Sequence, residues 1–169
     1  MSYNYVSDDM WKVLAIDFAK RWLSHDGLWF QAAESRFGID EAIALDINAW
    51  EKYTVLEAER IMGLLKIEAG GGLESLEQCL KYRMYAFINE QEIIRPDEKT
   101  LIFRMNKCRV QSARKRKAME LFKCKPAGLV EYSVFANTVD KRIKTRCIGC
   151  PPDEAPLDKW YCAWEFTIK

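Results

Sequence analysis

The sequence predicts an α+β fold, in which a helical N-terminal half packs on a small antiparallel sheet with interspersed helices. Up to Tyr82, apolar residues recur every three or four positions, which is the period of an amphipathic helix. Beyond Tyr85, several short segments alternate apolar and polar residues, as half-buried strands do. No linker, repeat or low-complexity tract divides the 169 residues. We therefore expect a single α+β domain over residues 1–169.

The first helix should begin after Ser7, which can act as its N-cap and is followed by two acids. Its aromatic residues share one stripe at about 100° per residue if the helix continues through Gly27. A break at Gly27, with Asp26 capping a second helix, is the alternative. The stripe contains Trp11, Phe18, Trp22, His25 and Trp29. We expect it to be buried against the sheet, since exposed tryptophans promote association.

Two more helices should complete the N-terminal half. Phe37-Gly38 should end the first helix, and Asp40 should cap a second one that reaches about Lys66. The triplet Gly70-Gly71-Gly72 interrupts the helical pattern. A shorter helix should follow from Leu73 to about Tyr82.

The C-terminal half should contain two pairs of strands separated by helices. Residues 85–94 and 100–109 should form a hairpin around a turn at 95–99. A basic helix is expected over 111–119, and Pro126 suits the first position of another helix. Two final strands should then complete the sheet.

Five of the six cysteines lie in the C-terminal half, and Cys147 and Cys150 form a CxxC turn. The alternation of the last two strands places Cys147 and Cys162 on apolar faces. Thiols stay reduced in the cytosol, so a cluster of cysteines favours a metal site over disulfides. We expect Cys124, Cys147, Cys150 and Cys162 to bind zinc, with Cys108 as the alternative to Cys124. An iron–sulfur cluster is the alternative cofactor, and simple burial of the thiols or redox chemistry are the competing interpretations.

The candidate ligand-binding residues are His25, Trp29 and Arg109. His25 is the only histidine and lies among tryptophans beside Asp26. It is either a packed histidine or a polar anchor in an aromatic-lined pocket for a small molecule.

Arg109 belongs to a basic segment, residues 104–125, with nine lysines or arginines and one acid in a chain of net charge +1. This segment could be a solvated helix face, an anion site or a nucleic-acid site. It contains no aromatic residue between Lys107 and Leu121, which argues against binding of single-stranded nucleic acid.

The first residues show neither the basic nor the apolar region of a signal peptide. No segment approaches the roughly 18 uncharged apolar residues that a membrane-spanning helix requires. We therefore expect a cytoplasmic protein that does not bind membranes.

Four segments carry a resemblance to an uncharacterised prokaryotic family, a domain of unknown function. They are HDGLWF (25–30), CRVQSARKRK (108–117), VDKRIKTRCIGCPPD (139–153) and YCAWEF (161–166). More remotely, the C-terminal half resembles vinyl-4-reductase-type small-molecule-binding domains and aminothiazoline-carboxylate hydrolases. That resemblance rests on Cys147 or Cys150, on Gly149, and on the Cys-x-Trp-x-Phe pattern from Cys162. The longer spacing from Cys150 to Cys162 and the extra CxxC cysteine depart from the pattern.

The remote resemblance implies a fold similar to transport-particle subunits, a zinc ion that Cys124 helps to hold, and a homodimer. It also implies that the domain holds a small anionic or aromatic ligand. The hydrolase resemblance implies a different function, in which Cys108 is the nucleophile and His25 the general base. In that case the substrate would be a small amide-like or thiazoline-like molecule. The sequence leaves open whether the protein is an enzyme.

Overall fold

A computed structural model of the protein describes residues 6–154, 156 and 158–169. The described chain contains five α-helices, a short 3₁₀ helix over Met84–Phe87 and four strands. The helices are α1 (Asp8–Phe37), α2 (Ile39–Leu65), α3 (Gly72–Lys81), α4 (Arg109–Arg116) and α5 (Lys125–Val139). The strands are β1 (Glu90–Asp97), β2 (Thr100–Lys107), β3 (Lys144–Gly149) and β4 (Cys162–Thr167). Within these described residues, no helix combines the length and the apolar character needed to cross a membrane.

The four strands form one antiparallel sheet in the order β1-β2-β4-β3, and this confirms the predicted α+β class. Helix α5 packs against β3 and α2, and α2 packs in turn against α1. The core between sheet and helices contains the fully buried side chains of Phe103, Phe135, Trp164 and Phe166. Burial of each large apolar side chain contributes roughly 1.5–3 kcal/mol to folding.

Helix α1 runs without interruption through Gly27, so the alternative of two helices is wrong. The Ser7 hydroxyl caps it and accepts a hydrogen bond from the Met10 N–H at 3.3 Å. Gly38, with a φ of 90°, separates α1 from α2. Asp40 is therefore not the cap of α2, and it lies instead in the first turn of that helix.

The aromatic stripe of α1 does not bury against the sheet, so that prediction is wrong. Phe18 is 50% exposed and Trp29 is 69% exposed, whereas Ala19 and Leu23 are buried. Ala19 lies about 100° around the helix from Phe18, so the packed face adjoins the stripe rather than coinciding with it. Trp22 packs edge-on against Trp50. The homodimer expected from the sequence remains a prediction, which sedimentation velocity would test.

Some element boundaries also differ from the predictions. Tyr85 lies in the 3₁₀ helix rather than in a strand, and β1 continues through Pro96 to Asp97. Proline is tolerated there because β1 is an edge strand and its nitrogen need not donate to the sheet. The basic helix begins at Arg109 and ends at Arg116.

A buried ion cluster joins α2 and α5. The guanidinium of Arg83, which is 2% exposed, donates to Glu57 at 2.8 Å and lies 2.7 Å from Glu131. It also lies 4.7 Å from the ring centre of Phe135. Burial opposes the charge on Arg83, but Glu131 and Glu57 outweigh that cost and raise its pKa. The cluster therefore depends on all three charges being present.

Asp140 should make folding sensitive to acid. Its buried carboxylate accepts hydrogen bonds from the Arg142 side chain and from the Gly72 N–H, which lower its pKa to about 2. A depressed carboxyl pKa stabilises the fold above pH 4 and loses that contribution as the pH falls towards 2. We expect Asp140→Asn to remove about 1–2 kcal/mol at pH 7 and little at pH 2. Urea unfolding at both pH values would measure this. An equal loss at both would contradict the assignment.

Candidate functional site

The main cavity of the described chain has a volume of about 400 Å³ and lies between the helices and one end of the sheet. Its walls come from α1, α2, α4 and α5, from the 3₁₀ helix, and from strands β2 and β4. The volume is in the range of sites that hold small molecules.

Four cysteines from separate parts of the chain line this cavity: Cys108, Cys124, Cys150 and Cys162. The strand order explains why they meet. Cys108 follows the end of β2, Cys150 follows the end of β3, and Cys162 begins β4. Because β4 is antiparallel to both neighbours, the end of β2, the end of β3 and the start of β4 lie at the same end of the sheet. Cys124, immediately before α5, completes the group.

Cys124 and Cys150 are in direct contact, with their sulfur atoms 3.4 Å apart. Backbone and side-chain bonds fix the two segments together. The Lys125 N–H donates to the Pro151 carbonyl at 2.9 Å, and Lys125 Nζ bonds Asp153 at the same distance. The bonds of Lys125 therefore keep Cys124 and Cys150 together, in addition to the contact between their sulfur atoms.

Gln111, which is buried, connects α4 to the cysteine pair. Its amide nitrogen donates to the Phe122 carbonyl at 2.8 Å and to the sulfur of Cys124 at 3.5 Å. Its amide oxygen accepts from the Phe122 N–H at 3.0 Å. Gln111 thus directs an N–H donor at the sulfur of Cys124.

The surroundings shift the pKa values of Cys108, Cys124 and Cys150 in different directions. The hydrogen bond with Cys150 lowers the pKa of Cys124, against the effect of burial, and Gln111 adds to the lowering. Hydrogen bonds with Cys124 and Cys162, together with burial, raise the pKa of Cys150. Burial also raises the pKa of Cys108 to about 12. In the protein without metal, negative charge is therefore best placed on Cys124.

Cys147 of the predicted metal set does not line the cavity. It lies on β3, opposite Trp164 of β4, and packs against the core. Burial raises its pKa to about 11. Across residues 6–154, 156 and 158–169, no three or more His, Cys, Asp or Glu side chains are arranged so that they could hold a metal ion.

The wall formed by the helices carries carboxylates and aromatic rings. Asp26 of α1, Asp46 of α2 and Glu131 of α5 line the cavity. Burial and the charges of Asp26 and Glu131 raise the pKa of Asp46 to about 7, although a hydrogen bond with the Trp50 side chain opposes the shift. Burial likewise raises the pKa of Asp26.

Six aromatic residues line the same cavity, and four of them form two stacked pairs. Trp50 and Tyr85 stack at a ring-centre distance of 5.9 Å, and Tyr132 and Trp164 stack at 4.7 Å. The cavity thus combines a thiol-rich end, a carboxylate wall and flat aromatic surfaces.

Of the predicted ligand-binding residues, the structure brings only Arg109 to this cavity. Its backbone N–H donates to Asn89 at 2.8 Å. His25 is exposed on α1, and its neighbours Ser24 and Asp26 line the cavity instead. Trp29 is exposed and borders a separate depression between α1 and α2.

The basic segment is not a uniformly solvated face. Arg114 is buried and forms a two-point ion pair with Glu34 of α1, at 3.1 and 3.2 Å, and it donates to the Glu120 carbonyl. Lys117 bonds Gln31 of α1 at 3.0 Å. Part of the basic charge therefore attaches α4 to α1, while Lys115 and Arg116 are exposed.

Asp26, Asp46 and Glu131 were missed by the sequence analysis because charged residues in amphipathic helices usually face solvent. One signal was available. Asp46 lies between Ile43, Ile47 and Trp50, on the apolar side of α2. An acidic residue within an apolar stripe of a helix predicts a buried carboxyl group.

No curated protein and no solved structure matches the chain. The remote resemblance to vinyl-4-reductase-type domains and to aminothiazoline-carboxylate hydrolases therefore stays a prediction. The model of a family of unknown function, DUF6125, matches residues 4–168, nearly the whole chain. This agrees with the expected membership of an uncharacterised family, and the chain therefore belongs to the DUF6125 family.

Proposed function

We propose that the protein is a cytoplasmic small-molecule-binding domain whose cavity is closed at one end by a zinc ion held by cysteine thiolates. The observation that carries the proposal is the meeting of Cys108, Cys124, Cys150 and Cys162 at one cavity. They come from four separate segments, and a reducing compartment keeps such thiols available for metal.

The donor chemistry fits zinc, which prefers four soft thiolate ligands in a tetrahedron. Two thiolates on one zinc ion lie about 3.8 Å apart, given zinc–sulfur bonds of about 2.3 Å. The 3.4 Å contact between Cys124 and Cys150 is close to this value. This pair of sulfurs is near the required separation. Among the described residues the four thiols do not form a metal site as they lie, so Cys108 and Cys162 would have to turn towards the pair. The proposed ligand set therefore contains Cys108 in place of Cys147.

Zinc with four thiolate ligands has no open position, so it would stabilise the fold rather than activate water. It would fasten β4 and the ends of β2 and β3 to the start of α5. The rest of the cavity, with its aromatic rings and polar groups, would then be free to receive a ligand.

The geometry favours binding over the alternative hydrolase function. A cysteine nucleophile reacts as the thiolate, and the pKa of about 12 keeps Cys108 protonated near neutral pH. His25, its proposed general base, is exposed and does not line the cavity that Cys108 lines.

Elemental analysis of the purified protein tests the zinc proposal. We expect about one zinc ion per chain, and no visible absorption of the kind that an iron–sulfur cluster gives. Cys124→Ser and Cys150→Ser should each abolish stoichiometric zinc and lower the unfolding midpoint by about 10 °C. Cys147→Ser and Cys79→Ser are the matched controls, because both residues are outside the cavity. Both should keep the metal.

The proposal fails if protein purified without chelators contains no metal and its unfolding midpoint is unchanged by added zinc. It also fails if Cys147→Ser loses zinc as completely as Cys150→Ser, because the ion would then lie at a different site.

A further inference from the structure

The part of the cavity wall that comes from α1, α2 and α5 carries three carboxylates and no lysine or arginine among the described residues. Asp26 and Asp46 line it, and no lysine or arginine in the described part of the chain forms an ion pair with either. Glu131 is paired with Arg83, but Arg83 is shared with Glu57. One arginine therefore serves two carboxylates, and two further carboxylates have no lysine or arginine partner, although His25 lies close enough to Asp26 to oppose the rise in its pKa.

The basic residues of the cavity come from α4 and its C-terminal end. Arg109, Arg114, Arg116 and Lys117 also line the cavity. However, the groups that shift the pKa of Asp46 are Asp26, Glu131 and Trp50, and they include no lysine or arginine. Arg114 and Lys117 are moreover engaged with Glu34 and Gln31 of α1.

Aromatic rings accompany the carboxylates. Trp50 donates to Asp46 and stacks on Tyr85, and both rings line the cavity. The face of an aromatic ring attracts a cation, and the attraction is worth about 2 kcal/mol when both groups are desolvated. Carboxylates beside aromatic faces form the kind of surface that binds an ammonium group.

An independent observation points to a second polar group on the ligand. Trp164 is completely buried and lines the cavity, and its indole N–H has no acceptor among the described residues. A buried donor without a partner costs about 1–3 kcal/mol, so an acceptor supplied by a ligand would be stabilising. Tyr132 stacks on Trp164 and provides a flat surface beside it.

We infer that the cavity binds a small monocationic amine, with the ammonium group at Asp26 and Asp46 and a hydrogen-bond acceptor at the Trp164 indole. This inference rests on the proposed ligand-binding function and specifies the chemical class of the ligand. An ammonium group would neutralise the uncompensated charge of the helical wall, and an acceptor would satisfy the buried indole.

Proton linkage gives the inference a second observable. Asp46 faces Asp26 of α1, Glu131 of α5 and Trp50 of its own helix, and its pKa is about 7. A bound cation favours the ionised carboxylate, so binding should release a proton near neutral pH. The affinity for the amine should therefore increase as the pH rises through 7.

The test uses three probes that share a phenol ring and differ in charge: tyramine, 4-ethylphenol and 4-hydroxyphenylacetate. Titration calorimetry on the metal-replete protein at pH 8 should show tyramine binding at least about tenfold more tightly than either of the others. Asp26→Asn/Asp46→Asn should remove that preference. The control Glu51→Gln, on the exposed side of α2, should retain it.

Trp164→Phe tests the ligand's acceptor separately, because it keeps an aromatic ring, although a smaller one, and removes the N–H. It should weaken tyramine but not phenethylamine, which lacks the phenol oxygen. Folding of each variant is checked by its unfolding midpoint without ligand.

The outcomes separate the inference from the proposed function. Tighter binding of 4-ethylphenol or 4-hydroxyphenylacetate would overturn the amine and leave the ligand-binding cavity standing. Retained tyramine preference in the folded double variant would also overturn it. Failure of all three probes to bind would overturn the inference and the ligand-binding part of the proposed function together.

Discussion

Replacing Arg83 with methionine should lower the free energy of unfolding by about 3–5 kcal/mol. Methionine retains much of the length and apolar volume of the side chain but removes the charge. Glu57 and Glu131 would then be two buried carboxylates without a counter-ion. Removing one partner of a buried ion pair costs more than the pair itself contributes, because the remaining charge keeps its desolvation cost.

The effect of Arg83→Met should depend on pH in a defined direction. Without the arginine, no positive charge opposes the burial that raises the pKa of Glu131, so this carboxyl group takes up a proton on folding. The loss of stability should therefore be smaller at pH 5 than at pH 8. Guanidinium unfolding of the wild type and of Arg83→Met at pH 5 and pH 8 would measure the two losses.

Two further variants serve as controls for Arg83→Met. Arg60→Met, at an exposed position of α2, should change stability by no more than about 0.5 kcal/mol. Adding Glu57→Gln and Glu131→Gln to Arg83→Met should recover part of the loss. A triple variant less stable than Arg83→Met would show that the carboxylates are not the source of the effect.

Gly128→Ala should destabilise the protein by about 1–3 kcal/mol, although alanine is the better helix former. An added Cβ at position 128 would lie 2.7 Å from Cζ2 of Trp164. Trp164 cannot move aside easily, because it is fully buried and stacked on Tyr132. The close approach of α5 to β4 therefore requires glycine at this position.

Gly63→Ala is the matched control for Gly128→Ala. It makes the same chemical change within α2, where an added Cβ meets nothing within 4 Å. It should stabilise the protein by up to about 1 kcal/mol. Thermal and guanidinium unfolding of both variants gives the comparison. Equal stabilities of the two variants would contradict the packing argument.

Local sequence patterns predicted most of the fold. Which cysteines line the cavity depended instead on how the strands and helices pack together. Alternation located β4, the helical period of apolar residues located α1 and α2, and Pro126 marked the start of α5. The inclusion of Cys108 and the exclusion of Cys147 follow from strand order and from a register irregularity between Cys147 and Gly149. Neither can be deduced from spacing along the chain.

The prediction that the aromatic stripe of α1 is buried against the sheet was wrong for a related reason. Periodicity identifies residues that share a face, but not the face that a neighbouring helix covers. Ala19 and Leu23 of α1 are buried while Phe18 and Trp29 are exposed, so the packed side is not the one with the largest aromatic side chains.

The strand order also has a consequence for the kinetics of folding. β1 and β2 form a local hairpin, but β2 must then pair with β4, from which α4, α5 and β3 separate it in the chain. Closing so long a loop costs entropy before the contacts that compensate for it are made. We therefore expect the helices and the hairpin to form early and the insertion of β4 to limit the rate. Cys162 would join Cys124 and Cys150 only at that last step, so the proposed metal ion would bind after the sheet is complete and slow unfolding more than it speeds folding.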